Sequence, residues 1–254
     1  MDKHIIGVFG DSFATSNVGP EVQGTPWPTT LAKNLNRTLE CHAHPGTSIW
    51  WSYVKFLEHH EKYDTIIFTY SQHNRWHHLS EECLTMYHLT VPKHYNSVPE
   101  STPEREKIAK ILYDAYRYVS SEQLDLFIYQ NVFDSVNKIC KEKNIRLINV
   151  MPFEHGENGK MFIDCSNRAG LVIYNFDGLT KLERSRLTEK QDEDLWNMIN
   201  SSDRRPCHIS SYHNDLVASV IADFINNDDL IMMDISKDPR ASFDPIHNSM
   251  YYDL

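Results

Sequence analysis

No block of lysine and arginine occurs anywhere in the 254 residues, and Asp+Glu outnumber Lys+Arg by 35 to 25, for a formal net charge of −10. That balance argues against nucleic acid or an anionic membrane as the main partner. Cysteines are few and scattered: Cys41, Cys83, Cys140, Cys165 and Cys207, an odd number with no C-x-x-C pair. The pattern suits reduced thiols in a cytosolic compartment rather than a disulfide framework. No apolar run approaches the ~18 residues of a membrane span. The first apolar run is too short for a secretory leader and is cut by Gly-Asp-Ser, so a cytoplasmic protein, or one released without a signal, is expected. There is no glycine-rich phosphate loop of the P-loop or dinucleotide type. Histidines number 14, with pairs at His59-His60 and His77-His78, yet no H-E-x-x-H or comparable metal spacing appears. Surface and loop positions account for them, and no metal or organic cofactor is expected.

What remains is ordinary for a water-soluble domain, with 41% hydrophobic and 24% charged residues. The length suits one large domain, or at most two small ones, and is enough to bury a substantial core. Strand and helix signals alternate. His4–Phe9 is a short apolar run stopped by Gly10. A polar loop with several Gly and Pro follows, over 15–28, and a helix is predicted from about Thr29 to Asn36. Leu39–His42 reads as a short strand. The helical run 49–60 places Trp50, Val54 and Leu57 on one face. Tyr63–Tyr70 is the clearest strand, β-branched and aromatic with no polar face, as a central parallel strand should be.

Residues 79–102 show two prolines and little periodicity, and read as an insertion over the carboxyl edge of the sheet. Thr102-Pro103-Glu104 begins a helix that breaks near Ser120-Ser121 and continues to about Lys143, with Leu124, Phe127, Ile128, Asn131, Val132, Ser135 and Ile139 spaced by three and four. Ile145–Met151 is a further strand, and Leu171–Tyr174 a candidate edge strand. Thr180–Asn200 reads as charged surface helix or loop. A closing helix over 215–224 buries Leu216, Val220 and Ile221, and a C-terminal tail begins near 226. The alternation predicts one α/β domain, a three-layer α/β/α arrangement around a mostly parallel, flavodoxin-like sheet.

Three turns then follow three parallel strands and fall at the same sheet edge: Gly10-Asp11-Ser12, Pro45-Gly46-Thr47 and Gln72-His73-Asn74. Pro206-Cys207-His208-Ile209-Ser210 leads into the last helix and can reach that edge. Together they supply a hydroxyl, a glycine N–H, a side-chain amide and an imidazole, the set that acyl transfer requires. Each has a plainer reading. Ser12 and Asp11 suit a turn or helix cap, Asn74 a strand-end turn, His208 the approach to a helix. His213, five residues on, competes with His208 as a base but fits an exposed helix histidine better. Trp50, Trp51 and Trp76 suit either core packing or the wall of an acyl or sugar pocket.

These four blocks resemble those of the SGNH, or GDSL, hydrolases. Gly10-Asp11-Ser12 matches the first block and Gly46 the second. Gln72-His73-Asn74-Arg75 keeps only the Asn of Gly-x-Asn-Asp, and His208-Ile209-Ser210 resembles the Asp-x-x-His block. The resemblance implies Ser12 as nucleophile, His208 as general base, and an oxyanion hole of the Ser12 N–H, the Gly46 N–H and the Asn74 amide. The aspartate that would orient the histidine is replaced by Arg205, which leaves Asp203 as the nearest carboxylate, a backbone carbonyl, or a dyad. The implied activity is that of an esterase, on a small acyl ester or an O-acetylated carbohydrate. The tryptophans and the small acidic chain are similar to SGNH-like proteins of tailed phages, which makes a viral origin an expectation. A catalytically degenerate binding or structural module on this scaffold, and a domain for a small phosphorylated ligand, are the competing classes.

Overall fold

The computed structural model describes residues 5–16, 25–71, 75, 121–152, 172–174, 211–227 and 232–241, with isolated positions between 107 and 118. The described strands form a six-stranded sheet: β1 (Ile5–Phe9), β2 (Thr38–Cys41), β3 (Thr65–Thr69), β4 (Arg146–Met151), β5 (Val172–Tyr174) and β6 (Met232–Asp234). Their spatial order is β2-β1-β3-β4-β5-β6, and each neighbouring pair is parallel. The first five strands follow the flavodoxin-like order, with the reversal at β1 between β2 and β3. Ligand crevices open beside the carboxyl ends of strands at such a reversal.

Alternation along the strands divides the core between two faces. Ile6 and Val8 of β1, Ile67 of β3, and Ile148 and Val150 of β4 pack with Trp27 and Leu31 of helix α1 (Trp27–Leu35) and with Val217, Val220, Ile221 and Phe224 of helix α4 (Ser211–Asn226). Phe9, Ile66, Phe68 and Met151 point the other way. They meet Ile49 and Phe56 of α2 (Ile49–His59) and Tyr129, Val132, Phe133 and Val136 of α3 (Glu122–Glu142). Because helices cover both faces, β3 is buried at all five positions, which is why its sequence carries no polar face. This is the expected three-layer α/β/α fold. Among the described residues, no helix is long and apolar enough to cross a membrane.

Local chemistry sets the helix ends. Pro28 occupies the first turn of α1, and Asn36 closes it in the left-handed region at φ 49°. The Ser48 hydroxyl accepts the Trp51 N–H at the start of α2, and Ser121 accepts the Leu124 N–H at the start of α3. The expected break near Ser120-Ser121 is thus a new N-cap. Asn144, at φ 54°, follows the end of α3.

Four expectations are corrected. Helix α1 begins at Trp27, ahead of Thr29. In α2 the buried positions are Ile49, Trp51, Ser52 and Phe56, while Trp50 and Leu57 are 37% and 44% exposed. In α3 the buried stripe is Asp125, Tyr129, Val132, Phe133, Val136 and Cys140, and Leu124 and Phe127 face outward at 44% and 64% exposure. Both helices carry apolar residues on more than one face, so spacing alone does not choose the face that meets the sheet. Val172–Tyr174 lies inside the sheet, because β6 pairs along its far side. The region 79–102 and the segment Thr180–Asn200 lie outside the described residues.

One buried polar chain crosses the second face. The Tyr70 hydroxyl donates to Asn149 Oδ1 at 2.8 Å, and Asn149 Nδ2 donates to Asn137 Oδ1 at 3.1 Å. These partners remove the penalty of burying Asn149 within a central strand.

Candidate active site

Strand β1 ends against β3 with no room for a side chain. Gly10 has φ +153°, and a Cβ there would stand 2.6 Å from the Thr69 Cβ and 3.0 Å from the Thr69 carbonyl oxygen. The chain therefore turns at once, through Asp11 to Ala14, closed by the Ala14 N–H on the Asp11 carbonyl at 3.0 Å. The buried Asp11 carboxylate accepts the Phe13 N–H at 3.0 Å, the turn-bonding role its sequence position suggests. From Ile6 to Thr15, Ser12 is the one residue that is not buried. The turn is held from outside as well. Trp27 Nε1 donates to the Phe13 carbonyl at 2.6 Å, and Cys41 Sγ lies 3.3 Å from the Ala14 carbonyl.

The second turn follows β2. The Thr47 N–H reaches the His44 carbonyl at 3.4 Å, with Pro45 and Gly46 between them and Gly46 at φ +78°. Proline then glycine at positive φ is a type II turn, and a Cβ-bearing residue at Gly46 would be strained. This turn is fixed against the first. The His44 N–H donates to the Gly10 carbonyl at 3.1 Å, and the Thr47 hydroxyl donates to the His44 carbonyl at 2.7 Å. Among the described residues, no hydrogen bond occupies the N–H of Ser12 or of Gly46. Trp51 packs its ring 5.8 Å from that of His44 beside this turn, whereas Trp50 sits against Tyr53 on the outer side of α2.

The third turn leaves β3 through Tyr70 and Ser71. Gln72, His73 and Asn74 lie outside the described residues, but Arg75 does not. Its Nη1 donates to the Thr47 carbonyl at 3.1 Å and stands 2.8 Å from Asp11 Oδ2. The second contact is an ion pair rather than an aligned hydrogen bond, since Oδ2 has no donor aimed at it among the described residues. Tyr129 of α3 is fully buried, and burial first, then the Asp11 charge, push its phenol well above the ordinary range.

A second cluster lies on the approach to the Gly46 turn. His42 is stacked between Phe9 and His59, with ring centroids 5.0 and 4.3 Å away. Its Nε2 lies 2.5 Å from the Tyr63 hydroxyl, whose own proton goes to Glu40 at 2.7 Å. The imidazole is therefore the donor in the first contact. Burial, reinforced by His59, pushes the His42 imidazole down to about 4. Among the described residues, no group of three or more His, Cys, Asp and Glu side chains is arranged to hold a metal ion.

Of the five site residues expected from sequence, the structure describes Ser12 and Gly46 and brings them to one sheet edge. Asn74, His208 and Asp203 lie outside the described residues. Helix α4 starts at Ser211, so His213 falls in its first turn. Asn214, six positions after His208 in sequence, accepts the Trp27 N–H at 2.9 Å. Trp27 thus bonds through its ring to the residue beside Ser12 and through its backbone to the start of α4. The sequence assigns no role to Arg75 or Thr47, which lie within the expected blocks, and does not place Trp27 at the site. An arginine in place of the expected Asp of the third block was the available signal for the first.

Fold and edge together define a doubly wound α/β domain with a serine-bearing turn at its switch point. No protein-family profile matches the sequence, and no curated protein does. Among solved structures, the chain is similar to one described as a lipolytic protein of the G-D-S-L family from Desulfitobacterium hafniense DCB-2. The identity is 14% and the TM-score 0.39, over 67% of this chain and 77% of that one.

Proposed function

We propose that the chain is a serine hydrolase of the SGNH type that cleaves an ester through an acyl-enzyme. Ser12 Oγ attacks the acyl carbonyl while His208 takes its proton. The oxyanion rests on the N–H groups of Ser12 and Gly46 and on the Asn74 amide. Collapse expels the alcohol, which receives the proton from His208. Water, giving its proton to His208, then attacks the acyl-enzyme, releases the acid and restores Ser12. Asp203 orients the imidazole; a dyad without it would be slower by roughly 10⁴-fold. A small acyl ester or an O-acetylated carbohydrate is the substrate class, and this chemistry calls for no cofactor.

The observation that carries the reading is the partial exposure of Ser12 alone within a buried, tightly bonded turn, beside a second turn whose glycine N–H is not hydrogen-bonded among the described residues. The Trp27 bridge from that turn to the start of α4 supports a base delivered from the segment preceding α4. Arg205 in place of the orienting aspartate favours the second reading, a binding module with a degenerate site. A fluorophosphonate probe separates the two. The hydrolase reading expects labelling of the wild-type protein that is lost in Ser12→Ala, with turnover of a short-chain aryl ester. A wild-type protein that neither labels nor turns over the ester refutes it.

A further inference from the structure

Three strand ends meet at one guanidinium. Arg75 follows β3 and is only 12% exposed; Asp11 follows β1 and is fully buried; Thr47 lies in the turn after β2. A single nitrogen, Nη1, touches both the Asp11 carboxylate and the Thr47 carbonyl, at 2.8 and 3.1 Å. The other Asp11 oxygen holds the Phe13 N–H, which flanks Ser12, and Thr47 directly follows Gly46. The two N–H groups of the proposed oxyanion hole are thus each one residue from a group that Arg75 grips.

We propose that Arg75 is a positioning residue whose guanidinium, by holding Asp11 and the Thr47 carbonyl together, fixes the spacing between the Ser12 and Gly46 N–H groups. This inference rests on the serine-hydrolase reading above. Arginine suits the task better than lysine, because Nη1 is fixed in a rigid planar guanidinium whose N–H directions are set, whereas an ammonium is a compact charge on a flexible stem. An oxyanion hole depends on donors placed before the charge forms, so loss of the grip acts on the acylation step and little on substrate binding. The same residue also neutralises a buried carboxylate, and removing one partner of a buried pair is strongly destabilising in itself. Positioning and charge balance must therefore be separated.

Three variants separate them: Arg75→Lys, Arg75→Met, and Asp11→Asn combined with Arg75→Met. Thermal melting is measured alongside the second-order rate of fluorophosphonate labelling, and kcat and KM are measured on an aryl ester. The proposal expects Arg75→Lys to melt near wild type yet label about 10- to 100-fold more slowly, with the loss in kcat and KM little changed. Arg75→Met melts lower or fails to fold. The double variant, which buries no unpaired charge, regains melting temperature but not labelling rate. If it regains both, the pair is only a charge balance and the proposal is overturned; wild-type labelling of Arg75→Lys overturns it too. Failure of the underlying reading looks different: the wild-type protein itself leaves Ser12 unlabelled, and the positioning role falls with it.

Discussion

His42 makes the stability of the fold depend on pH between about 6.5 and 4. Its imidazole is held neutral down to about pH 4, first by burial and then by the stacked His59, with Lys62 and Lys55 acting in the same sense and Glu40 opposing. In the unfolded chain the ring takes its proton near the ordinary value of 6.5. Because the folded value is lowered, unfolding between pH 6.5 and 4 takes up a proton. The stabilising contribution is complete above pH 6.5 and is lost as pH falls toward 4. Linkage sets a ceiling of about 3.4 kcal/mol, from a gap of about 2.5 units at 1.36 kcal/mol each. The ring is only part-buried, so solvent screening reduces the expected loss to roughly 1–2 kcal/mol.

The perturbation is His42→Gln, which keeps a donor for the Tyr63 hydroxyl and removes the titration. Its absolute stability falls, because the stack on Phe9 and His59 is lost. The informative quantity is the slope. Urea melts at pH 7.5, 6.5, 5.5 and 4.5 should show the wild type losing roughly 1–2 kcal/mol more than the variant across the series. Parallel losses in the two proteins would refute the assignment of a neutral, buried His42. Since the His42 N–H pairs with the Val8 carbonyl two residues before the Gly46 turn, the same acid range should also loosen the approach to the candidate site.

Gly10→Ala should destabilise by about 2–4 kcal/mol, because it adds a contact 2.6 Å from the Thr69 Cβ to an unfavourable φ; chemical denaturation measures it, and a loss within 0.5 kcal/mol in magnitude, taken as about the noise of a surface change, would show that the turn adapts. Asn149→Leu should cost about 1–3 kcal/mol by removing the acceptor of the Tyr70 hydroxyl and the donor to Asn137 Oδ1, and Tyr70→Phe in the same background should recover part of it. Additive losses in that pair would mean that the chain of bonds is not coupled. Ser12→Ala should melt close to wild type, since Ser12 is the one unburied residue of its turn, so lost labelling reports on chemistry rather than folding.

The parallel core was legible at β1 and β3, whose apolar runs are a consequence of burial on both faces. Strands β5 and β6 have three residues each, too few to show a period, and β6 lies in a stretch that reads as tail. The spacing of α2 and α3 identifies helices but points to faces other than the ones they bury. In α3, Tyr129, Phe133 and Cys140 form the buried stripe together with Val132 and Val136, while Leu124 and Phe127 face outward. Which of two apolar faces meets the sheet is decided by the neighbouring helix and strand, not by the helix's own spacing.

The site divides along the same line. Gly10, Asp11, Ser12, Pro45 and Gly46 were legible because turn chemistry is local: a positive φ, a proline before a glycine, and an aspartate that bonds the second N–H beyond it each act within four residues. Arg75 was legible only as a mismatch. What it does depends on three strand ends, 64 residues apart in the Asp11 pair and 28 in the Thr47 contact, reaching one register. A mismatch of this kind carries its own physical question. An arginine where an acid is expected cannot repeat the acid's bonds, so it must either be solvated or find a new anion. Here it is largely buried against the one carboxylate of the Ser12 turn, and that choice turns a departure from the expected block into a claim about how the block is held.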